Sequence, residues 1–211
     1  MCGIWGISDT GSNLERQLLI KVVKKLMILS ETRGKDASGI AVMQGEELNV
    51  LRKAMSSREL LQDLQFVRYL EENIIKTSGR NLWITGHSKL ITNSIQYSPN
   101  NNQPVAKKNI ALVHNGIIVN EDELWSKMPE THRDYEVDTE AILETFYDRH
   151  SKSGGAKQAI ESTYKDLRGM ASTILLMQHG HHMIAASNNG SLYQVTSKDG
   201  KLTILASNLI Q

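Results

Sequence analysis

The sequence predicts an α+β domain in which two mainly antiparallel sheets are flanked by helices. Three observations carry that expectation. Apolar runs of strand length come in pairs joined by short turns, several of them holding glycine. The helical stretches are grouped between those runs and do not alternate with them, as a doubly wound parallel sheet requires. Finally, no composition break or internal repeat divides the 211 residues, so the chain reads as one domain over residues 1–211.

The elements follow in order. Cys2 to Ser8 reads as a short buried strand, and the Asp9-Thr10-Gly11-Ser12-Asn13 loop leads into a helix over Leu14 to Ser30. There Leu18, Leu19, Val22, Val23, Leu26, Met27 and Leu29 recur at helical spacing and leave Arg16, Lys21, Lys24 and Lys25 for solvent. Ser38 to Gln44 and Leu48 to Arg52 form a hairpin turning at Gly45-Glu46-Glu47. A second helix is expected over Ser57 to Lys76 and a strand over Leu82 to His87, followed by a polar loop from Asn93 to Gln103. Ile110 to His114 is a strand, and helices follow at Glu121 to Met128, Asp138 to His150 and Gly154 to Leu167. Four short strands close the chain: Ala171 to Gln178, His182 to Ala186, Leu192 to Thr196 and Leu202 to Leu205.

Composition excludes several functions. With 24 basic and 23 acidic residues the net charge is +1, which gives no electrostatic footprint for nucleic acid or for an anionic membrane. No run of 18 apolar residues occurs, and the first residues lack the basic and apolar regions of a secretory signal, so a cytoplasmic protein is expected. The single cysteine rules out an internal disulfide and any multi-cysteine metal site.

That cysteine is Cys2. A free cysteine is often only a small buried hydrophobe, but this position offers chemistry found nowhere else in the chain. Removal of Met1 would leave a thiol and a free α-amine on one residue. An α-amine titrates near 7.7 to 8.0 in model compounds, so at neutral pH part of it can take up the thiol proton. Nucleophile and base then arrive together.

The start Cys2-Gly3-Ile4-Trp5-Gly6-Ile7 resembles that of the class II glutamine amidotransferases, the N-terminal-nucleophile type. The remaining motifs fall in register with the same family, nearest to the glutaminase domain of the glucosamine-6-phosphate synthases. They are Thr32-Arg33-Gly34-Lys35-Asp36-Ala37-Ser38-Gly39, Gly86-His87-Ser88-Lys89-Leu90-Ile91-Thr92-Asn93, Val113-His114-Asn115-Gly116-Ile117-Ile118 and Asp138-Thr139-Glu140-Ala141-Ile142. Leu167-Arg168-Gly169 and Ala186-Ser187-Asn188-Asn189-Gly190-Ser191-Leu192 complete the set. One such match alone is weak, whereas several in order across the chain are strong.

The resemblance implies a four-layer αββα sandwich and hydrolysis of L-glutamine to glutamate and ammonia through a thioester on Cys2. It places Asn115 and Gly116 at the oxyanion, where fixed donors are commonly the largest catalytic term. By itself Asn-Gly also reads as a plain turn between strands. Asp138 is implied to hold the substrate ammonium, and a helix N-cap role is compatible with that. The family's carboxylate clamp is an arginine, and Lys89 stands in its place. Leu90 and Asn93 also replace family residues at the pocket edge, while Thr92 is kept. An ammonium is a point charge without the bidentate grip of a guanidinium, so the site departs from the family pattern. Arg33, Gly34 and Asp36 are expected to support the floor around the nucleophile, with Gly34 and Gly39 allowing close backbone passage.

His87 and His114 are expected to pack or hydrogen-bond. His179, His181 and His182 read as a polar turn, with a metal cluster as the alternative. No cofactor and no metal are expected. The implied partners are L-glutamine and a synthase domain or subunit that receives ammonia, which is expected to be absent from this chain. Two other readings stand beside this one: an amidase of the same nucleophile type acting on another small amide, and a non-catalytic remnant of the fold.

Overall fold

A computed structural model describes residues 2–12, 14–75, 81–90 and 101–207. Among these residues ten strands form two sheets. The first is six-stranded and contains β1 (Gly3–Thr10), β2 (Ala37–Gln44), β3 (Glu47–Lys53), β4 (Asn81–Lys89), β9 (Tyr193–Thr196) and β10 (Leu202–Ala206), in the order β3-β2-β4-β1-β10-β9. The second is four-stranded, β5 (Val105–Lys107), β6 (Ile110–Ile118), β7 (Gly169–Met177) and β8 (His182–Ser187), in chain order. Every neighbouring pair is antiparallel.

Side-chain alternation along the strands builds the layers. In β1, Trp5 and Ile7 point to one face of the large sheet, where they join Leu19, Val23, Leu26 and Met27 of α1 (Arg16–Ser30). Leu60 of α2 (Ser57–Leu60) and Phe66 and Leu70 of α3 (Leu64–Leu70) complete that core. Ile4 points the other way and meets Val113, Ile174 and Leu205 between the sheets. Ala41, Met43 and Trp83 meet Ala111 and Leu176 in the same layer. The outer face of the small sheet, with Leu112 and Leu175, is covered by α4 (Glu121–Ser126), α5 (Asp138–Ser153) and α6 (Ala156–Asp166) through Leu124, Ile142, Phe146 and Ile160. The result is the helix, sheet, sheet, helix stack that the sequence predicts. Among the described residues no helix is long and apolar enough to cross a membrane.

Three elements differ from expectation. The helix predicted from Ser57 to Lys76 is broken after Leu60. A capping box between Ser56 and Glu59 starts α2, and the Asp63 side chain accepts from the Phe66 N–H to start α3. In one continuous helix Leu60 and Phe66, six residues apart, would point roughly 120° apart. The break lets both be fully buried in one core. A π-helical turn follows at Glu71–Ile75, and Lys76 lies outside the described residues. The loop expected from Asn93 to Gln103 falls largely outside them as well.

β5 was not anticipated. Its hairpin to β6 turns on Lys108 and Asn109, both at positive φ (52° and 61°), and Lys-Asn is a weaker turn signal than Asn-Gly. Lastly, β6 runs on to Ile118, so Asn115-Gly116 lies inside a paired strand and not in a turn.

Candidate active site

The start of β1, the end of β4 and the second half of β6 meet at one end of the sandwich. The Cys2 backbone nitrogen donates to Asn115 Oδ1 at 3.0 Å, across 113 residues of sequence. Alternation explains the meeting. Cys2 shares the inner side of β1 with Ile4, Asn115 shares the inner side of β6 with Ala111 and Val113, and those apolar residues already pack between the sheets. Asn115 is buried and Cys2 half-buried.

Beside Asn115, Gly116 has φ of 155°, a backbone region that residues with a Cβ rarely enter. A Cβ there would also collide with the Met170 carbonyl oxygen on the paired strand. The glycine is therefore required by both conformation and space.

Lys89 ends β4, buried to 6% exposure, with its ammonium donating to the Asn101 carbonyl oxygen at 3.0 Å. Burial lowers its pKa, and the nearby Cys2 and Asp138 act against that shift. Asp138 is the first residue of α5; the N-cap position belongs to Val137. The Asp138 carboxylate accepts from the Ile118 N–H at 3.1 Å and lies 3.5 Å from Nδ1 of His114. Burial alone would raise its pKa, but the His114 ring and the backbone N–H groups of Ile118 and Thr139 more than offset this and hold it below the usual carboxylate value.

The Cys2 thiol is pushed upward, mainly by burial. The Leu90 backbone N–H and the Lys89 charge oppose the rise, and Asp138 adds to it. A thiol in that state keeps its proton at neutral pH and needs a base.

The Leu90 side chain is 46% exposed at the rim. Thr92 and Asn93 lie outside the described residues.

Arg33, Gly34 and Asp36 act on backbone. Arg33 Nη1 donates to the Ser207 carbonyl at 2.9 Å, and Ser207 is itself bonded to Ile4 through its hydroxyl and its N–H. Gly34 packs so closely on the Lys89-Leu90 peptide that a Cβ would overlap it. The Asp36 N–H donates to the Lys89 carbonyl at 2.9 Å. Together these bonds fix the ends of β1 and β4 from which Cys2 and Lys89 project.

The structure adds partners that residue patterns did not single out. His114, expected only to pack or hydrogen-bond, faces Asp138. Gln103 binds both Thr139 Oγ1, at 3.0 Å, and the His114 N–H. His87, 2% exposed, has neither ring nitrogen hydrogen-bonded among the described residues. Of the three later histidines, His181 stacks on Trp83 and lies 3.4 Å from Glu46, in the turn between β7 and β8. Among the described residues no group of three or more His, Cys, Asp or Glu side chains is placed to hold a metal ion.

Residues 87–211 match the family model described as a glutamine amidotransferase domain. The chain belongs to that family. Among curated members, the glutamine–fructose-6-phosphate aminotransferase (isomerizing) of Bartonella quintana is 30% identical over 192 residues, covering 90% of this chain and 29% of its own length. The Campylobacter jejuni enzyme of the same name is 30% identical over 91% of this chain and 30% of its own. This amidotransferase chain thus spans less than a third of the curated relatives it matches.

Among solved structures, the fold is similar to glutamine phosphoribosylpyrophosphate amidotransferase from B. subtilis, with a TM-score of 0.69 and 23% identity over 98% of this chain and 42% of that one. A structure described as the allosteric regulatory enzyme of purine biosynthesis gives 0.71 at the same identity and coverage. The fold is accordingly that of the nucleophile-type amidotransferases, as the sequence resemblance implies.

Proposed function

We propose that this chain hydrolyses L-glutamine to glutamate and ammonia, with Cys2 as nucleophile once Met1 has been removed. The observation that carries the reading is the 3.0 Å hydrogen bond between the Cys2 nitrogen and Asn115 Oδ1. An amide side chain that takes the Cys2 nitrogen on its oxygen keeps its Nδ2 as a donor close to that residue. With the Gly116 N–H, that donor suits the oxyanion formed when sulfur attacks a carboxamide carbon.

In the processed chain the same Cys2 nitrogen is an α-amine. It takes the thiol proton as the sulfur–carbon bond forms and returns it to the leaving nitrogen, which departs as ammonia. Water deprotonated by the amine then attacks the thioester, releasing glutamate and restoring the thiol. Lys89 is suited to the substrate α-carboxylate and Asp138, ionised through its His114 and backbone bonds, to the α-ammonium. Arg33, Gly34 and Asp36 support these positions through backbone contacts. Leu90 would contribute an apolar rim, with Thr92 and Asn93 expected to complete it.

We place the protein in the cytoplasm as a single domain that works with an ammonia-accepting synthase domain or subunit. The relatives, about three times longer, are named for the transfer of an amino group from glutamine, which supports such an acceptor. The test is intact-mass analysis after incubation with a diazo-ketone analogue of glutamine. One adduct on Cys2 of a Met-free chain, absent in Cys2→Ala, is expected. A folded, Met-free chain that stays unmodified would refute the reading.

A further inference from the structure

Lys89 ends a strand of the large sheet and Asp138 begins a helix packed on the small one, yet a clamp for the two ends of an amino acid works only at one separation. A single short segment ties the two together. Lys89 Nζ donates to the Asn101 carbonyl at 3.0 Å. The Asn101 side chain then grips Glu136, two residues before Asp138, from both ends: its Oδ1 accepts from the Glu136 N–H at 3.0 Å and its Nδ2 donates to Glu136 Oε2 at 3.3 Å.

Two residues on, Gln103 repeats the pattern on the anionic side. Its Nε2 donates to Oγ1 of Thr139, the neighbour of Asp138, and its Oε1 accepts from the N–H of His114, whose ring faces the Asp138 carboxylate. Both side chains are buried, Asn101 to 4% and Gln103 to 8% exposure.

The segment is itself pinned. Arg52 Nη1 donates to the carbonyl of Pro104 at 3.2 Å, and Gly39 of β2 lies so near the Gln103 carbonyl that a Cβ could not fit. Buried hydrogen bonds that satisfy both ends of a side chain fix geometry as well as contributing stability.

We infer that Asn101 and Gln103 are positioning residues that set the separation of Lys89 from Asp138, and so select for a substrate carrying both an α-carboxylate and an α-ammonium. Asn101 serves the carboxylate end and Gln103 the ammonium end. This rests on the glutaminase reading above.

Ammonia release by the processed full chain tests it with three substrates: L-glutamine, 4-aminobutanamide, which lacks the α-carboxylate, and 4-carbamoylbutanoate, which lacks the α-amine. Asn101→Ala is expected to raise KM on the order of tenfold for the two carboxylate-bearing substrates, from the loss of two partly buried hydrogen bonds. It should leave 4-aminobutanamide unchanged and kcat within about twofold. Gln103→Ala should raise KM for glutamine and 4-aminobutanamide and spare 4-carbamoylbutanoate.

A merely structural role would raise KM for all three substrates alike or lower kcat at constant KM, and either result overturns the inference. Glu136 is exposed, so Glu136→Ala should fold even where Asn101→Ala does not. It must then show the Asn101 selectivity in weaker form, and equal effects on all three substrates would refute the role. Wild-type protein that releases no ammonia from any of them overturns the glutaminase reading and this inference together, an outcome distinct from loss of selectivity in the variants.

Discussion

Replacing His87 with leucine should make the protein less sensitive to acid. His87 is 2% exposed, and among the described residues neither ring nitrogen has a partner. Burial first, then the charges of Lys89 and His114, push its pKa down from 6.5 to about 3. Unfolded chains therefore bind a proton at this residue below pH 6.5, while the folded protein does so only near pH 3. The unfolded state holds more protons throughout that window, so stability falls as pH drops, by about 1.4 kcal/mol per pH unit at most. At about pH 5 this amounts to roughly 2 kcal/mol relative to neutral pH.

Leucine has no proton to gain, and it also removes two buried polar atoms that lack partners, a change that can be neutral or stabilising. Urea unfolding of wild type and His87→Leu at about pH 7.5 and about pH 5 measures the difference. The stability lost on acidification should be smaller in the variant by roughly 2 kcal/mol. An equal acid loss in both proteins would show that His87 is protonated normally in the folded state and refute the argument.

Two further outcomes are expected. Asn115→Ala removes a candidate oxyanion donor and the partner of the Cys2 nitrogen, so kcat for glutamine should fall by about 10² to 10³; steady-state ammonia release checks this, and a drop smaller than tenfold would remove Asn115 from the oxyanion site. Lys107 lies within 3.0 Å of Asp134, Glu140 and Glu144, the last two fully buried. Lys107→Met takes the ammonium from the buried Glu140 and leaves Glu144 with Lys108 alone, so it should cost about 3 kcal/mol in urea unfolding, a loss that should shrink on combination with Glu140→Gln.

The pieces legible in the sequence were those in which a local pattern states the physics. The unbroken apolar run Ile4-Trp5-Gly6-Ile7 announces a buried strand, which is what a middle layer requires. Val-His-Asn-Gly-Ile-Ile marks Asn115 and Gly116 even though their conformation, a strand with one residue at positive φ, is not that of the turn the dipeptide suggests. The illegible pieces depend on distant partners. Asn101 and Gln103 belong to a polar run that reads as a loop, and only the approach of Lys89, Glu136 and Thr139 gives their side chains tasks. The role of His114 toward Asp138 needs β6 and α5 packed side by side, and the break at Asp63 follows from a core that both Leu60 and Phe66 must reach.

The bond between the Cys2 nitrogen and Asn115 accepts either kind of nitrogen. A peptide N–H donates to Oδ1 as well as an amine does, so this bond places no demand on maturation, whereas the proton transfer proposed above depends on it entirely. An affinity tag left at the amino end would thus yield protein that purifies well, melts at the normal temperature and turns over nothing. The same polypeptide tagged at its other end, or freed of its first residue in vitro, would be active. Quality control by folding measurements would pass both preparations, and ammonia release from glutamine would tell them apart.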